Sequence, residues 1–420
     1  MTSEPSALLG AVAPPGLLPE AFYLLLDALS LLTLAGILAW SAYHAPIIVA
    51  GLLAPRGSGD DPGNGLPRVT VIVPSKDEGR RVERCLNAIL SSDYPLEKLE
   101  VIVVDASSDG YVEEIVRRAG ERYPGAVRLI REEEPRGKPA ALNRALREAT
   151  GEVVAVFDAD SVPERDAIRR AVKHLEEPGV AAVQGKTLVL NERESVLARV
   201  ASKEEKAWFH ALIRGRERLG LFVPLTGSCQ FVKRSALEEV GGWREDALAE
   251  DLELSMDLLA RGYRVKYAND VVSWQEAPTS LRSLAVQRNR WYRGYMEAFA
   301  RHLRLALAGR RGLDAAILSA GPYLMALSLL AVAAWLASTA LPHVNHFSTP
   351  AALVAALNAV SLFSVSVALA LSERPVSAKN LAWVPVIYAY WFTLSAVALH
   401  ALAEIILRRP RVWRRTPKPI

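Results

Sequence analysis

The sequence predicts an α/β domain on a mostly parallel sheet, flanked by transmembrane and interfacial helices. Three observations carry this. Short Val/Ile-rich runs alternate with amphipathic segments of about ten residues between positions 69 and 156, the pattern of a parallel sheet covered on both faces. Long apolar runs occupy residues 21–53, 315–341, 351–371 and 381–407, each long enough to cross about 30 Å of hydrocarbon. Aspartates recur where the predicted strands end.

The first apolar run carries only Asp27 as a charge, and no Lys or Arg precedes it. It is too long for a signal-peptide core and reads as an anchor. APRGSGDDPGNGLP follows as a helix-breaking linker. VTVIVPS, LEVIVVDAS, VRLIRE, VVAVFDAD and VAAVQGKTLVLN then read as strands. Residues 80–90, 111–122 and 138–149 read as the intervening helices. Residues 195–218 and 250–261 read as further helices, and 280–307 as a basic amphipathic segment of the kind that lies on a membrane surface. The divisions expected are an anchor (1–55), a linker (56–66), an α/β domain (67–275), interfacial helices (276–312), membrane helices (313–407) and a basic tail (408–420).

The formal charge of +4 does not indicate a nucleic-acid binder, because Arg408, Arg409, Arg411, Arg414, Arg415 and Lys418 all lie in that tail. Basic residues beside a span mark the cytoplasmic side. Arg56 and Arg68 place the α/β domain inside, yet three further full spans would put the tail outside. One late segment is therefore re-entrant or interfacial, or an extra one is hidden near residues 44–53. Cys85 and Cys229 lack metal-site spacing and are expected as reduced core thiols.

In parallel sheets ligands bind at the carboxyl ends of strands, where Ser75, Lys76, Asp77, Asp105, Asp158 and Asp160 fall. Two carboxylates one residue apart, as in FDAD, suit a hard ion such as Mg²⁺ or Mn²⁺ held against a diphosphate. The competing role is a turn or helix cap. Asp105 suits a nucleobase or ribose, and Asp109 a turn. Lys138, opening a helix, suits phosphate. Glu250 and Asp251 lie in a first helical turn, where the dipole stabilises charge. Asp251 is expected as a general base acting on an acceptor hydroxyl. QRNRW reads either as the polar face of an interfacial helix or as a site in which Arg290 suits phosphate oxygens and Trp291 a sugar ring or an acceptor wall, with Arg288 and Arg293 facing solvent or lipid headgroups.

The ordered set VTVIVPSKDEG, VVDASSDG, RGKPAALNRAL, FDAD, TGSC, AED and QRNRW resembles the family 2 glycosyltransferases with a GT-A fold. The likeness is closest to the membrane-embedded branch holding cellulose, hyaluronan and poly-N-acetylglucosamine synthases and ceramide glucosyltransferase. It implies a UDP-sugar donor contacted by Ser75, Glu78, Asp105, Lys138, Asp158, Gln287, Arg290 and Trp291. Asp158 and Asp160 would hold the metal, and Asp251 would be the base. Gly227, Ser228, Cys229, Glu250 and Trp291 would line the acceptor pocket. KDEG stands where related enzymes often carry a YNE-like sequence, so the contacts of residues 75–78 follow the pattern least closely. The implied reaction inverts an α-linked sugar onto a growing β-linked polysaccharide, or else onto a membrane lipid such as a ceramide or a polyprenyl phosphate. The implied setting is the plasma membrane, with the catalytic domain cytoplasmic and no nucleic acid among the partners.

Overall fold

In the computed structural model, which describes residues 20–54, 65–340, 348–371, 377–412 and 416, eight strands form one sheet. They are β1 (Val69–Ser75), β2 (Leu99–Asp105), β3 (Val127–Arg131), β4 (Val153–Val156), β5 (Val162–Pro163), β6 (Val180–Val189), β7 (Gln230–Lys233) and β8 (Arg264–Gln275). Their order is β3-β2-β1-β4-β7-β6-β8-β5. Strands β1 to β4 are parallel, while β7 runs antiparallel between β4 and β6. The strand order reverses beside β1, so the loops after β1 and β4 splay apart and leave a crevice at their carboxyl ends.

Successive side chains of the central strands enter opposite layers. Val71, Val101, Val103 and Phe157 join Leu86 and Ile168 on one face. Ile72, Ile102, Val104 and Val154 join Leu142, Trp243 and Leu254 on the other. Each such fully buried chain contributes roughly 1.5–3 kcal/mol, which is why the strands read as continuous apolar runs. Both cysteines are free and buried, as expected.

The stretch expected as one helix over 195–218 is helical but not uniform. Val196–Ala207 is α-helical, Trp208–Ile213 forms a π-turn, and Arg214–Arg218 resumes the α-helix. Helix Glu20–Leu52 is pressed onto this stretch. A Cβ on Gly51 would lie 2.0 Å from the Ala211 carbonyl oxygen, and one on Gly215 would lie 1.9 Å from that of Ile47. Arg216 is fully enclosed there, bonded to Asp314 (3.2 Å) and His44 (2.9 Å), and Asp314 also accepts from Tyr43 (2.9 Å). A buried pair of this kind is costly to break, so it fixes the first helix against Arg310–Ala340.

Among the described residues, three helical stretches, Asp27–Leu52, Arg310–Ala334 and Ala378–Ile406, are long and apolar enough to cross a membrane. A further helix, Ser348–Leu371, packs on the first through an Asn358 amide bond to the Leu34 carbonyl (2.9 Å). Helix Trp383–Ile406 meets the α/β part along its whole length. Arg199 and Lys203 lie over the Trp383 ring, the Tyr390 hydroxyl bonds Glu204, and His400 and Glu404 both bond Asn289. Beyond it, the Arg293 guanidinium donates to the carbonyls of Arg409 (2.6 Å) and Pro410 (3.2 Å). The start of the basic tail therefore lies beside the α/β domain. Arg56, Arg414, Arg415 and Lys418, and most of the expected linker, fall outside the described residues.

Candidate active site

The crevice beside β1 collects residues from four loops. Ser75 and Asp105 are register partners at the ends of β1 and β2. The Asp105 carboxylate is fully buried, takes a hydrogen bond from the Ser107 hydroxyl (2.6 Å), and is paired with Arg131. Ser107 also accepts from the Asp77 amide (2.7 Å), which ties the β1 loop to the β2 loop. Asp77 takes up a left-handed conformation (φ 54°) to make that bond. The buried Ser75 hydroxyl has no partner among the described residues. Asp109 accepts from the Tyr111 amide (3.3 Å), the turn role expected of it.

The loop after β4 presents Asp158 and Asp160. The Asp158 amide donates to the Ser228 hydroxyl (3.1 Å), which also contacts the Ser161 hydroxyl (2.8 Å). Asp160 accepts from the Glu276 amide (3.3 Å), and the Glu276 carboxylate is held by Arg81 and Arg84, each at 2.7 Å. Glu78 sits 4.0 Å from Arg81 at the edge of the same group.

Lys138 is the hub. Its ammonium donates to Asp158 Oδ1 (2.6 Å) and to the Gly227 carbonyl (2.8 Å), and lies 3.5 Å from Glu250. Burial opposes its charge, but Asp158, Glu250 and Asp251 outweigh burial and raise its pKa. Gly227 adopts φ 81°, and a Cβ there would sit 3.1 Å from Asp251 Oδ2 and 3.2 Å from Lys138 Nζ. That spacing puts the Asp251 carboxylate within the same small volume.

Asp251 opens helix Glu250–Ala260 and accepts from the Leu252 amide (2.8 Å). Burial, and next the Glu250 charge, push its carboxyl up to about 7, against the opposing pull of Lys138, the Leu252 amide and Arg290. A carboxylate so placed can hold or release a proton near neutral pH.

Helix Leu281–Arg301 brings QRNRW to this acid pair. Ser280 caps it by accepting from the Ser283 amide (3.2 Å). Gly294 lies directly against Ala249, the residue before the pair, where a Cβ would be 2.7 Å from the Ala249 Cβ. Arg290, one turn earlier, is close enough for its charge to act on Asp251. Gln287 and Trp291 are half-buried on the same helix, and the Arg288 guanidinium lies 4.6 Å from the Trp291 ring centre.

Two expectations fail here. Arg288 and Arg293 face neither solvent nor headgroups. Arg288 is buried against Glu204 and the Tyr390 hydroxyl (3.3 Å), and Arg293 against Glu297 (3.0 Å) and the tail carbonyls. Their partners come from helices distant in sequence, so helical periodicity alone assigned them to the polar face. In TGSC, the Cys229 side chain also turns away from the crevice. Its sulfur packs where a Cβ on Gly185 would lie 2.5 Å away, with Val271 beside it. The left-handed backbone at Gly227 and Cys229 causes this, leaving Gly227 on the crevice and Ser228 bracing the Asp158 turn.

Sequence reasoning missed Ser107, Arg131, Glu276 and Gln184. Gln184 holds the TGSC loop, donating to the Ser228 carbonyl (2.9 Å) and accepting from the Thr226 amide (2.8 Å). A glutamine inside the apolar run VAAVQGKTLV was a visible signal, since a buried amide must find partners.

A solved structure titled as the mannosyltransferase PcManGT from Pyrobaculum calidifontis, in complex with GDP-Man and Mn2+, superposes with a TM-score of 0.67 at 29% identity, covering 91% of this chain and 99% of that one. The beta-monoglucosyldiacylglycerol synthase of Synechocystis sp. is 30% identical over 60% of this chain and 52% of its own length. The poly-beta-1,6-N-acetyl-D-glucosamine synthase of Staphylococcus aureus (strain COL) is 28% identical over 56% of each. The match thus spans about half the length of these two relatives. Residues 67–294 match the family described as glycosyltransferase like family 2, and by the extent of that match this chain belongs to it.

Proposed function

We propose that this enzyme moves a sugar from a UDP-sugar, with inversion, onto a hydroxyl acceptor held at the membrane face. The observation that carries the proposal is the convergence of Asp158, Glu250 and Asp251 on the one ammonium of Lys138, beside the arginine of QRNRW. Positive charge at a crevice of acids is what a departing diphosphate requires.

In this reading Asp105, already oriented by Arg131 and Ser107, accepts from the ring N–H of uracil, and the unpartnered Ser75 hydroxyl bonds the nucleoside. Lys138 and Arg290 take the phosphate oxygens. Asp251 draws the proton from the acceptor hydroxyl as its oxygen bonds to the anomeric carbon. The bond from that carbon to the diphosphate breaks on the opposite side, so an α-linked donor gives a β-linked product. Gly227 leaves room for the acceptor, and Trp291 walls its ring. The FDAD carboxylates fit a hard divalent ion: both are oxygen donors, and Asp158 remains 36% exposed toward the crevice. Asp158 and Asp160 would hold Mg²⁺ or Mn²⁺, which when bound neutralises charge on the leaving diphosphate.

The similarity to a beta-monoglucosyldiacylglycerol synthase supports a membrane lipid or glycolipid as the acceptor. The similarity to a poly-N-acetylglucosamine synthase supports a growing β-linked polysaccharide as the second reading. We place the catalytic domain on the cytoplasmic face of the plasma membrane. Helices Glu20–Leu52, Arg310–Ala340 and Ser348–Leu371 cross it, while Trp383–Ile406 lies along its surface against the domain. That arrangement returns the basic tail to the inner side, satisfying the charge bias. The test is incubation of the purified protein in lipid with UDP- and GDP-sugars, followed by mass analysis. One lipid-soluble product supports a lipid acceptor, a ladder supports a polymer, and use of GDP-sugars alone overturns the UDP assignment.

A further inference from the structure

One arginine of the QRNRW helix grips both ends of the segment that carries the acid pair. Arg290, Gly294, Glu297 and Arg301 recur at i, i+4, i+7 and i+11 of helix Leu281–Arg301 and so share one face. At the last turn of this row the Arg301 guanidinium forks. One arm donates to Asp246 (3.1 Å), four residues before Glu250, and the other lies 3.2 Å from Glu253, two residues after Asp251. Among the described residues these two acids are its partners, and it bonds none of Lys138, Asp158 or Asp251. Glu253 is buried, where a carboxylate is costly to leave unpaired. His302 (2.8 Å) and Arg244 (3.6 Å) complete its surroundings. Asp246 is exposed but shared. Arg411, at the start of the tail, lies 3.3 Å from Asp246 and 2.9 Å from Glu297, which closes a ring of charges beside residues 246–253. Two turns before Arg301, Gly294 meets Ala249 in the middle of the same segment.

We infer that Arg301 is a positioning residue for the reaction: by holding Asp246 and Glu253 together it fixes where Asp251 stands relative to Arg290. The inference rests on the proposed roles of those two residues at the acceptor hydroxyl and the departing diphosphate. Exposed ion pairs contribute little to stability when isolated, so the consequence of this fork is geometric. A displacement of about 1 Å, caused far from the chemistry, can lower a rate about 10²-fold. The planar guanidinium holds two carboxylates at fixed angles, whereas a lysine ammonium is a single point charge on a flexible stem.

The test compares wild type with Arg301→Gln and Arg301→Lys in mixed micelles holding diacylglycerol, with UDP-glucose and UDP-N-acetylglucosamine as donors and release of UDP as the readout. UDP affinity and thermal melting are measured alongside. Arg128→Gln is the control. It removes pairs with Glu100 (3.0 Å) and Glu148 (2.7 Å) near the start of β2 and β3, away from the crevice at their carboxyl ends. The expected result is a fall in kcat of about tenfold or more in Arg301→Gln and about threefold in Arg301→Lys, with donor KM and UDP affinity within about twofold of wild type. The control should keep kcat within about twofold. Asp246→Asn cuts only the exposed arm, is expected to fold even if Arg301→Gln does not, and should lower kcat about threefold. Wild-type kcat in Arg301→Gln or Asp246→Asn, a loss carried by donor KM instead, no advantage of Lys over Gln, or an equal loss in the control overturns the inference. Undiminished transfer in Asp251→Asn, or a wild type that uses neither donor, would instead sink the proposed reaction and what rests on it.

Discussion

Gly294 packs against Ala249 so closely that a single added carbon would approach the Ala249 Cβ to 2.7 Å and its amide nitrogen to 2.8 Å. This contact sets the distance between the QRNRW helix and the Glu250–Asp251 pair, and through it the position of Arg290. Replacing Gly294 by Val is expected to cost about 1–3 kcal/mol from overpacking and to lower kcat more than donor KM. Thermal melting together with steady-state kinetics checks this. Unchanged melting and unchanged kcat would show that the contact is dispensable.

The charges around Asp251 predict a pH profile. Only the ionised carboxylate can accept a proton, so activity should rise with pH through a limb centred near the value of about 7 to which burial and Glu250 push it. Glu250→Gln removes the neighbouring charge and should move that limb to lower pH, while Lys138→Met should move it higher. Stability runs the other way for this group. Its folded pKa lies above the ordinary aspartate value, so its protonated form favours the fold at low pH, and that contribution is lost as pH rises through about 7. A pH–kcat series on the three proteins tests the assignment, and identical limbs would refute it.

Arg288 is buried against Glu204 and Tyr390 rather than exposed. Arg288→Ala leaves the partly exposed Glu204 carboxylate with only the Tyr390 hydroxyl and empties the buried space the arginine fills, and is expected to destabilise by about 1–3 kcal/mol, measured by denaturant unfolding in detergent. An arginine on a wet surface would cost within about 0.5 kcal/mol.

Much of the sheet was legible because β1, β2 and β4 are buried on both faces and therefore spell unbroken Val/Ile runs. Helix Arg80–Leu90 and helix Tyr111–Arg122 carried clear periodicity and match the expected bounds. Strand β7 was hidden, since four residues inserted antiparallel between β4 and β6 leave no periodic trace. Asp158 and Asp251 stood out as acids at element ends, whereas the roles of Arg288 and Arg293 depend on Glu204, Glu404 and the carbonyls near residue 410. Such partnerships are made by the fold and have no local signature.

Chelation offers a separate check on Asp158 and Asp160. Exhaustive EDTA treatment should abolish transfer, and Mn²⁺ or Mg²⁺ should restore it. Asp160→Asn should weaken that restoration, read as a higher metal concentration at half-maximal activity. Full turnover in EDTA would contradict the metal reading.

The most direct measurement is single-turnover transfer by Asp251→Asn beside a binding titration with UDP. Loss of transfer by about 10²–10⁴-fold with UDP affinity within about twofold of wild type is the result expected of a half-buried base poised by Glu250 and Lys138. Transfer at the wild-type rate would show that the acceptor proton leaves by another route.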